Sequence, residues 1–419
     1  MSTRYAAVRG TRDILPDEID SWLLVERTAR RTFGRYGFRE IRTPVLEATE
    51  LFARSVGEST DIVHKEMYTF QRGEESVSLR PECTASVARA VVEHSLHRGI
   101  ATGYPERLFY IGPMFRYERP QRGRQRQFHQ IGAEILGAPE PLADAETLEM
   151  LWTFLSELGL DDRQLVLNSL GDDDCRVRYR GVLAAWLEER AGLLCEDCRR
   201  RARDNPLRVF DCKVDDDVRT LAQAPMVSDH LGESAAAHFA EVRSWLDRFG
   251  VPYRVEPRMV RGLDYYCRTV FEVVAGGLGA QSAVLGGGRY DGLVEQLGGP
   301  PVPGFGFAIG MERLISLLPR DSTAGPHVDV ALIGLGPEGW SASVELARRL
   351  RAANRSVLVP LVERPMGAQL KRAGRVNARF ALFVGKDEIA AGRFGLKDLV
   401  TGEQIEVDAD ALIARLGEV

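Results

Sequence analysis

Apolar residues recur at helical spacing from Ile19 to Tyr36, where Ile19, Trp22, Leu23, Ala29, Phe33 and Tyr36 share one side. Pro16-Asp17-Glu18 supplies an acidic opening suited to the helix dipole, and Gly34 and Gly37 end the helix. A second helical stretch is predicted over Thr84–His97. Four runs read as strands: Arg107–Tyr117, Gln125–Leu136, Tyr265–Val274 and Gln281–Leu285. No crossover helices join them, which predicts an antiparallel sheet flanked by helices in an α+β domain. Residues from about 170 to 245 are charged and largely helical, and read as an insertion beside that sheet.

The Pro/Gly/Ser-rich stretch Pro319–Pro326 breaks the pattern and marks a boundary. Beyond it, strands at Asp329–Gly334, Ser356–Val362 and Ala378–Gly385 alternate with helices at Pro337–Asn354 and Met366–Arg375. The first of these helices carries Trp340, Val344, Ala347 and Leu350 at helical spacing. This is a small α/β domain with its own core. The chain therefore divides into residues 1–322 and 327–419.

At 419 residues the chain is too long for one compact core. With 44% hydrophobic and 27% charged residues it is neither disordered nor fibrous. No apolar run approaches the roughly 20 residues of a membrane helix, and the N-terminus has no apolar secretory segment. Six cysteines do not make a disulfide scaffold, so a reducing cytoplasm is the expectation. The net charge of -5 argues against a dedicated nucleic-acid binder.

One segment reverses that argument. Between Arg116 and Arg126 lie five arginines (116, 119, 122, 124 and 126), opposed only by Glu118, with Pro120 and Gly123 placing a turn. Guanidinium groups bind phosphate bidentately, so this hairpin fits a polyphosphate or nucleic-acid backbone. On the returning strand, alternation puts Phe128, Gln130, Gly132 and Glu134 on one face and Ile131, Ala133 and Ile135 on the core side. Gly132 leaves room for a ligand between Gln130 and Glu134, an amide and a carboxylate able to hold an ammonium group or a ring N–H. His129 falls on the core side, as a packed residue. In Arg80-Pro-Glu-Cys-Thr84, Thr84 could cap the following helix and Glu82 could take an ammonium group. Spacing leaves that choice open.

Three glycine- or tyrosine-rich segments join these. Arg261–Glu272 contains adjacent Tyr265 and Tyr266, which strand alternation sends to opposite faces. Leu285–Gly292 has four glycines in eight residues, permitting close backbone approach to a ligand. It is neither a Walker A loop nor a Rossmann fingerprint. Gly304–Leu314 runs from strand to helix with Arg313 in the first turn, where a cation serves an anion. Together they describe one phosphate-handling cleft on an antiparallel sheet.

On these residues the chain resembles the class II aminoacyl-tRNA synthetases, and within them the histidyl-tRNA synthetase family, over nearly its full length. Thr43-Pro44 is similar to the class's first motif, at a dimer interface. Phe115–Glu134 resembles the second and Gly306–Arg313 the third. Arg261-Gly-Leu-Asp-Tyr-Tyr and Gly287-Gly-Arg-Tyr-Asp-Gly resemble the histidine-specific signatures, and Arg9–Asp13 and Leu79–Thr84 also match, with Cys83 where the family often has glycine.

The resemblance implies that histidine's carboxylate attacks the α-phosphate of ATP, giving histidyl-adenylate and pyrophosphate, and that the terminal ribose of tRNA(His) then takes the acyl group. It implies catalytic roles for Arg116 and Arg261, an ATP site of Arg116, Glu118, Phe128 and Arg313, and Mg2+ beside the phosphates. Histidine would be read by Glu82, Thr84, Gln130, Glu134, Tyr265, Tyr266, Gly287 and Gly288. Arg119, Arg122 and Arg124 would approach the acceptor end of tRNA, the C-terminal domain would grip the anticodon, and the protein would be a cytoplasmic homodimer. The alternative is the non-catalytic regulatory paralogue of ATP phosphoribosyltransferase, which typically lacks the C-terminal domain and degrades the histidine signatures. Here both are present.

Cys195-x-x-Cys198, with Cys175 and Cys212 further off, could be read as a zinc site. The outer spacings are irregular and only one CxxC pair occurs, so no metal ligand is assigned.

Overall fold

In the computed structural model of the chain, the described residues are 5–56, 60, 62–100, 103–120, 123–260, 265–276, 283–319 and 328–416. They form two compact units, Met1–Ser322 and Thr323–Val419. The first is built on an eight-stranded sheet. From one edge to the other, its strands are Arg39–Glu40, Glu106–Phe115, Gln127–Leu136, Gly304–Gly310, Ala283–Arg289, Cys267–Ala275, Arg163–Ser169 and Tyr253–Val255. The six central strands are antiparallel, as expected. Each edge adds a short parallel strand that the sequence pattern does not reveal. Two-residue and three-residue strands leave almost no periodicity to detect.

Helix Ile19–Arg35 lays Trp22, Val25, Ala29 and Phe33 against one face of this sheet. Leu23, expected on the same side, is instead 41% exposed. At the end of the helix Gly37 takes a φ of +77°, so that Phe38 N–H can return to the Phe33 carbonyl at 3.1 Å. Helix Pro141–Glu157 shares this core and was missed in sequence. Nine of its residues are buried, several of them off any single stripe, so it lacks the amphipathic signature of a surface helix. Ile131, Ala133 and Ile135 point into the same core, as strand alternation requires.

The segment after residue 170 divides in two. Tyr179, Leu183, Leu187, Leu194, Val209 and Leu221 close a small separate core. Helix Glu233–Phe249 returns Phe239, Val242 and Leu246 to the main core. The insertion therefore ends near Leu231, short of the expected 245.

The C-terminal unit has a five-stranded sheet ordered Val357–Leu358, Val328–Gly334, Ala378–Val384, Phe394–Asp398, Gln404–Val407. Its first three strands are parallel and its last two are added antiparallel. Ser356–Val362 shortens to two strand residues because Pro360 has no N–H to donate, and Leu361 is 88% exposed. In helix Gly336–Ala352, Leu346, Ala347 and Leu350 are buried, whereas Val344 faces outward.

Helix Pro141–Glu157 is tied to the glycine-rich strand by a buried ion pair. The Arg289 guanidinium reaches both oxygens of Asp144, the Ala138 carbonyl at 3.0 Å and Asp291 at 3.1 Å. Both partners of the Arg289–Asp144 pair are fully buried. Burial opposes the Arg289 charge, but Asp144 and Asp291 outweigh it and hold the guanidinium pKa above its ordinary value. Removing the Asp144 carboxylate leaves that buried cation with only Asp291 and the Ala138 carbonyl. Asp144→Ala is expected to cost about 3–5 kcal/mol, read as a lower denaturant midpoint; a midpoint shift smaller than that of an exposed control, Glu345→Ala, would contradict it.

Candidate active site

The arginine hairpin is formed by strands Glu106–Phe115 and Gln127–Leu136, paired from Glu106–Leu136 to Phe115–Gln127. Its five arginines have different fates. Arg116 stacks 5.3 Å from the centre of the Phe128 ring and donates Nε to the Pro81 carbonyl at 2.9 Å. Arg124 turns into the cleft, 3.4 Å from Glu118. Arg119 is exposed, and Arg122 lies outside the described residues. Arg126 serves structure: it lies 3.9 Å over the Tyr117 ring, its backbone N–H donates to Gly10, and its stem fills the space a Gly10 side chain would take. The expectation of five phosphate-facing guanidiniums is thus too generous, because one is used to dock the N-terminal segment.

A cleft of about 360 Å³ opens on the sheet face opposite the core helices. Its walls include Glu82, Thr84, Arg116, Glu118, Arg124, Phe128, Gln130, Tyr265, Tyr266 and Arg313. Segments more than 190 residues apart in sequence are therefore brought to one site. Arg261 lies outside the described residues. At one end, Arg313 is partly buried and its pKa is lowered by that burial and by Arg124 nearby. Two guanidiniums crowded at a cleft wall call for an anion.

At the other end the polar groups form a relay. Glu82 accepts the backbone N–H of Thr84 at 2.8 Å and of Ala85 at 3.0 Å, so it is Glu82 that satisfies the start of helix Thr84–Glu93. Thr84 is thereby released from capping, and its hydroxyl donates to Glu134 Oε1 at 2.7 Å. Tyr290 donates to Glu134 Oε2. Glu134 is buried behind Thr84 and lies below the cleft wall rather than on it. Burial pushes its carboxyl up to about 8 despite both donors. Gln130, also buried, keeps its side-chain oxygen without a partner among the described residues. His129, on the core side, bonds Glu312 at 3.0 Å and meets the Trp22 ring edge-on.

The glycines of this site make room for the protein's own side chains. A Cβ on Gly132 would strike the Tyr110 ring at 2.2 Å, so the space read from sequence as a ligand's is already filled. A Cβ on Gly306 would strike Glu134 Oε2 at 1.8 Å. Gly287 lies against the backbone of Gly306 and Phe307, and Gly288 against the Thr269 carbonyl, Val270 and Tyr266; neither is cleft lining, whereas Gly286 is. Tyr265 and Tyr266 both line the cleft, their rings 4.7 Å apart, because they precede the strand at Cys267 and do not alternate with it. Tyr290, unassigned from sequence, stood in the Gly-Gly-Arg-Tyr signature and proves to be the second donor to Glu134.

An antiparallel sheet that carries an arginine hairpin over such a cleft, followed by a separate α/β unit, is the arrangement expected of a class II aminoacyl-tRNA synthetase. Comparison with known proteins narrows this. A family model described as histidyl-tRNA synthetase matches residues 10–314, and one described as anticodon binding domain matches 329–418. The histidine--tRNA ligase of Geobacter metallireducens is 50% identical over 404 residues, covering 96% of this chain and 97% of the relative. That of Solibacter usitatus is 49% identical over 412 residues, 98% of each. Apo histidyl-tRNA synthetase of S. aureus superposes with a TM-score of 0.81 at 34% identity, over 99% of this chain and 100% of that one. The chain belongs to the histidyl-tRNA synthetase family. A Bacillus halodurans structure described as an ATP phosphoribosyltransferase regulatory subunit/histidyl-tRNA synthetase (TM-score 0.67, 21% identity, over 92% of this chain and 99% of that one) shares the fold only.

The raised Glu134 pKa has a stability consequence of definite sign. The native state holds a proton that the unfolded chain gives up near 4.5, so this contribution is complete below 4.5 and is lost as pH rises through about 8. Thermal melts of the ligand-free protein are expected to fall between about pH 5 and 8, with the fall reduced in Glu134→Gln, which is neutral throughout. Parallel pH profiles for the two proteins would refute the assignment.

Proposed function

We infer that the cleft divides its labour by charge, with the guanidinium end taking ATP and the Glu82–Thr84–Gln130 end taking histidine. The chain activates L-histidine with ATP, releasing pyrophosphate, and transfers the histidyl group to tRNA(His). In the first step a histidine carboxylate oxygen bonds to the α-phosphorus as the bond to the β-phosphate oxygen breaks.

Arg116 is suited to the α-phosphate and Arg313 to the far end of the triphosphate, since both line the one cleft and guanidiniums stabilise charge developing on phosphoryl oxygens. Arg261 is proposed on the family resemblance as a second α-phosphate cation. Phe128, beside Arg116, offers a face for adenine. Glu118 and Glu272 supply carboxylates on the same walls, which fits an oxygen-seeking Mg2+. Such an ion, when bound, would offset phosphate charge. The unpaired oxygen of Gln130 and the carboxylate of Glu82 suit the substrate ammonium group. Glu134, with Tyr290 and Thr84 fixing its two oxygens, would accept an imidazole N–H through reorganisation of that relay. Gly287 and Gly288 act by packing.

The single observation that carries this reading is the convergence of Arg116, Arg313, Gln130 and the tyrosine pair on one cleft. Exposed Arg119 is offered to tRNA, with Arg122 beside it in sequence and Arg124 shared with the nucleotide. The Thr323–Val419 unit is proposed to hold the anticodon and the Thr43-Pro44 segment to lie at a homodimer interface. Among the described residues no helix is long and apolar enough to cross a membrane; a cytoplasmic location is proposed on the family resemblance.

Histidine-dependent ATP–pyrophosphate exchange tests the division. Arg116→Ala and Arg261→Ala are each expected to lower the exchange rate about 100- to 1000-fold while leaving histidine binding within a few-fold. A loss seen in KM for histidine alone would reverse the assignment of the two ends.

A further inference from the structure

The insertion holds a second constellation, remote in sequence from the cleft motifs. Cys195, Cys198, Cys212 and Asp217 bring their three sulfurs and one carboxylate oxygen within 4.8 Å of one another. Cys195 precedes helix Glu196–Asp204 and Cys198 lies in its first turn. Cys212 ends the short turn Pro206–Asp211, and Asp217 belongs to helix Asp215–Leu221. Three elements thus meet at these four side chains.

We propose that Cys195, Cys198, Cys212 and Asp217 form a closed, structural zinc site that holds the insertion together. A tetrahedral zinc with Zn–S bonds of about 2.3 Å and Zn–O near 2.0 Å sets ligand edges of about 3.8 Å between sulfurs and about 3.5 Å from sulfur to oxygen. The measured edges are 4.0 Å for Cys195 Sγ to Cys212 Sγ and 3.5 Å for Cys212 Sγ to Asp217 Oδ2. A sulfur–sulfur distance of 4.0 Å is far beyond a disulfide bond, and all three thiols are free.

The surroundings fit thiolate ligands. Cys198 N–H points to Cys195 Sγ at 3.4 Å and Val214 N–H to Cys212 Sγ at 3.5 Å, supplying donors that stabilise negative sulfur. Asp217 is oriented by Cys195 N–H, which lies 3.0 Å from Oδ1 and 3.2 Å from Oδ2. Cys198 and Asp217 are buried, whereas Cys195 and Cys212 are partly exposed, which leaves an entry path. Three soft sulfurs with one carboxylate select zinc over magnesium or calcium, and four protein ligands leave no open position for catalysis.

Cys175, the fourth cysteine suggested by sequence, is not part of the set: its Sγ accepts Gly232 N–H at 2.9 Å. Asp217 takes that place, and its location in the first turn of a later helix is why cysteine spacing alone looked irregular. The need for a metal follows from size. The insertion's apolar core is small, and the stretch 194–214, one nine-residue helix and a short turn, contributes only Leu194, Cys198 and Val209 to its buried residues. Metal binding supplies folding free energy where such a core cannot.

The test uses the full-length protein, produced with zinc in the medium and purified without chelator. Plasma mass spectrometry is expected to find about one zinc per chain, released in step with mercurial modification of the thiols. Cys198→Ser should retain less than about a tenth of that metal, and Cys175→Ser about all of it. Cobalt exchanged into the wild type should give the intense visible bands of four-coordinate geometry with a thiolate charge-transfer band, a readout that requires no variant. Chelation should raise amide exchange across residues 194–221. Metal-free wild-type protein that takes up no stoichiometric zinc, an unchanged metal content in Cys198→Ser, weak octahedral cobalt bands, or a Cys195–Cys212 disulfide in freshly alkylated protein would each overturn the site.

Discussion

The buried carboxylate of Glu134 is the constraint around which the cleft is assembled. It sits on the returning strand of the hairpin, receives Thr84 from the helix behind Glu82 and Tyr290 from the end of the glycine-rich strand, and needs Gly306 on the next strand to leave it space. Four elements must be in register for one ionisable group to be satisfied. An unpartnered buried carboxylate would be costly, so the polar relay specifies how these elements dock as well as what they later bind.

The same logic explains the site's glycines. Close approach of strands is usually discussed as room for a ligand. Here Gly132 accommodates Tyr110, Gly306 accommodates Glu134, and Gly287 lets its strand lie against Phe307. The small residues set the positions of large ones, and the large ones make the wall that a substrate meets. A side chain at any of these glycines would therefore act on the site through displaced neighbours.

Much of this was legible in sequence, and the failures have identifiable causes. Alternation placed Gln130 and Glu134 opposite Ile131 and Ile135 correctly because one face of that strand is core and the other is cleft. It failed for Tyr265 and Tyr266, which lie just outside a strand. Thr84 was the natural helix cap by residue type, yet Glu82, two residues earlier, does that work, because a carboxylate one position before the usual cap leaves no local signature. Helix Pro141–Glu157 is not legible in the sequence, since a helix buried on most sides carries no stripe. Charge counts predicted a phosphate-binding hairpin but could not separate Arg124, in the cleft, from Arg126, which packs on Tyr117.

Arg124 and Arg313 at one end of the cleft and the neutralised Glu134 at the other give the cavity two distinct sensitivities. The crowded guanidiniums attract small anions, so that end should respond to ionic strength. The Glu134 end is shielded from salt by its burial, and the same burial raises the carboxyl to about 8, so that end should respond to pH instead. One cavity thus carries two separate chemical controls, one set by counter-ions and the other by protons.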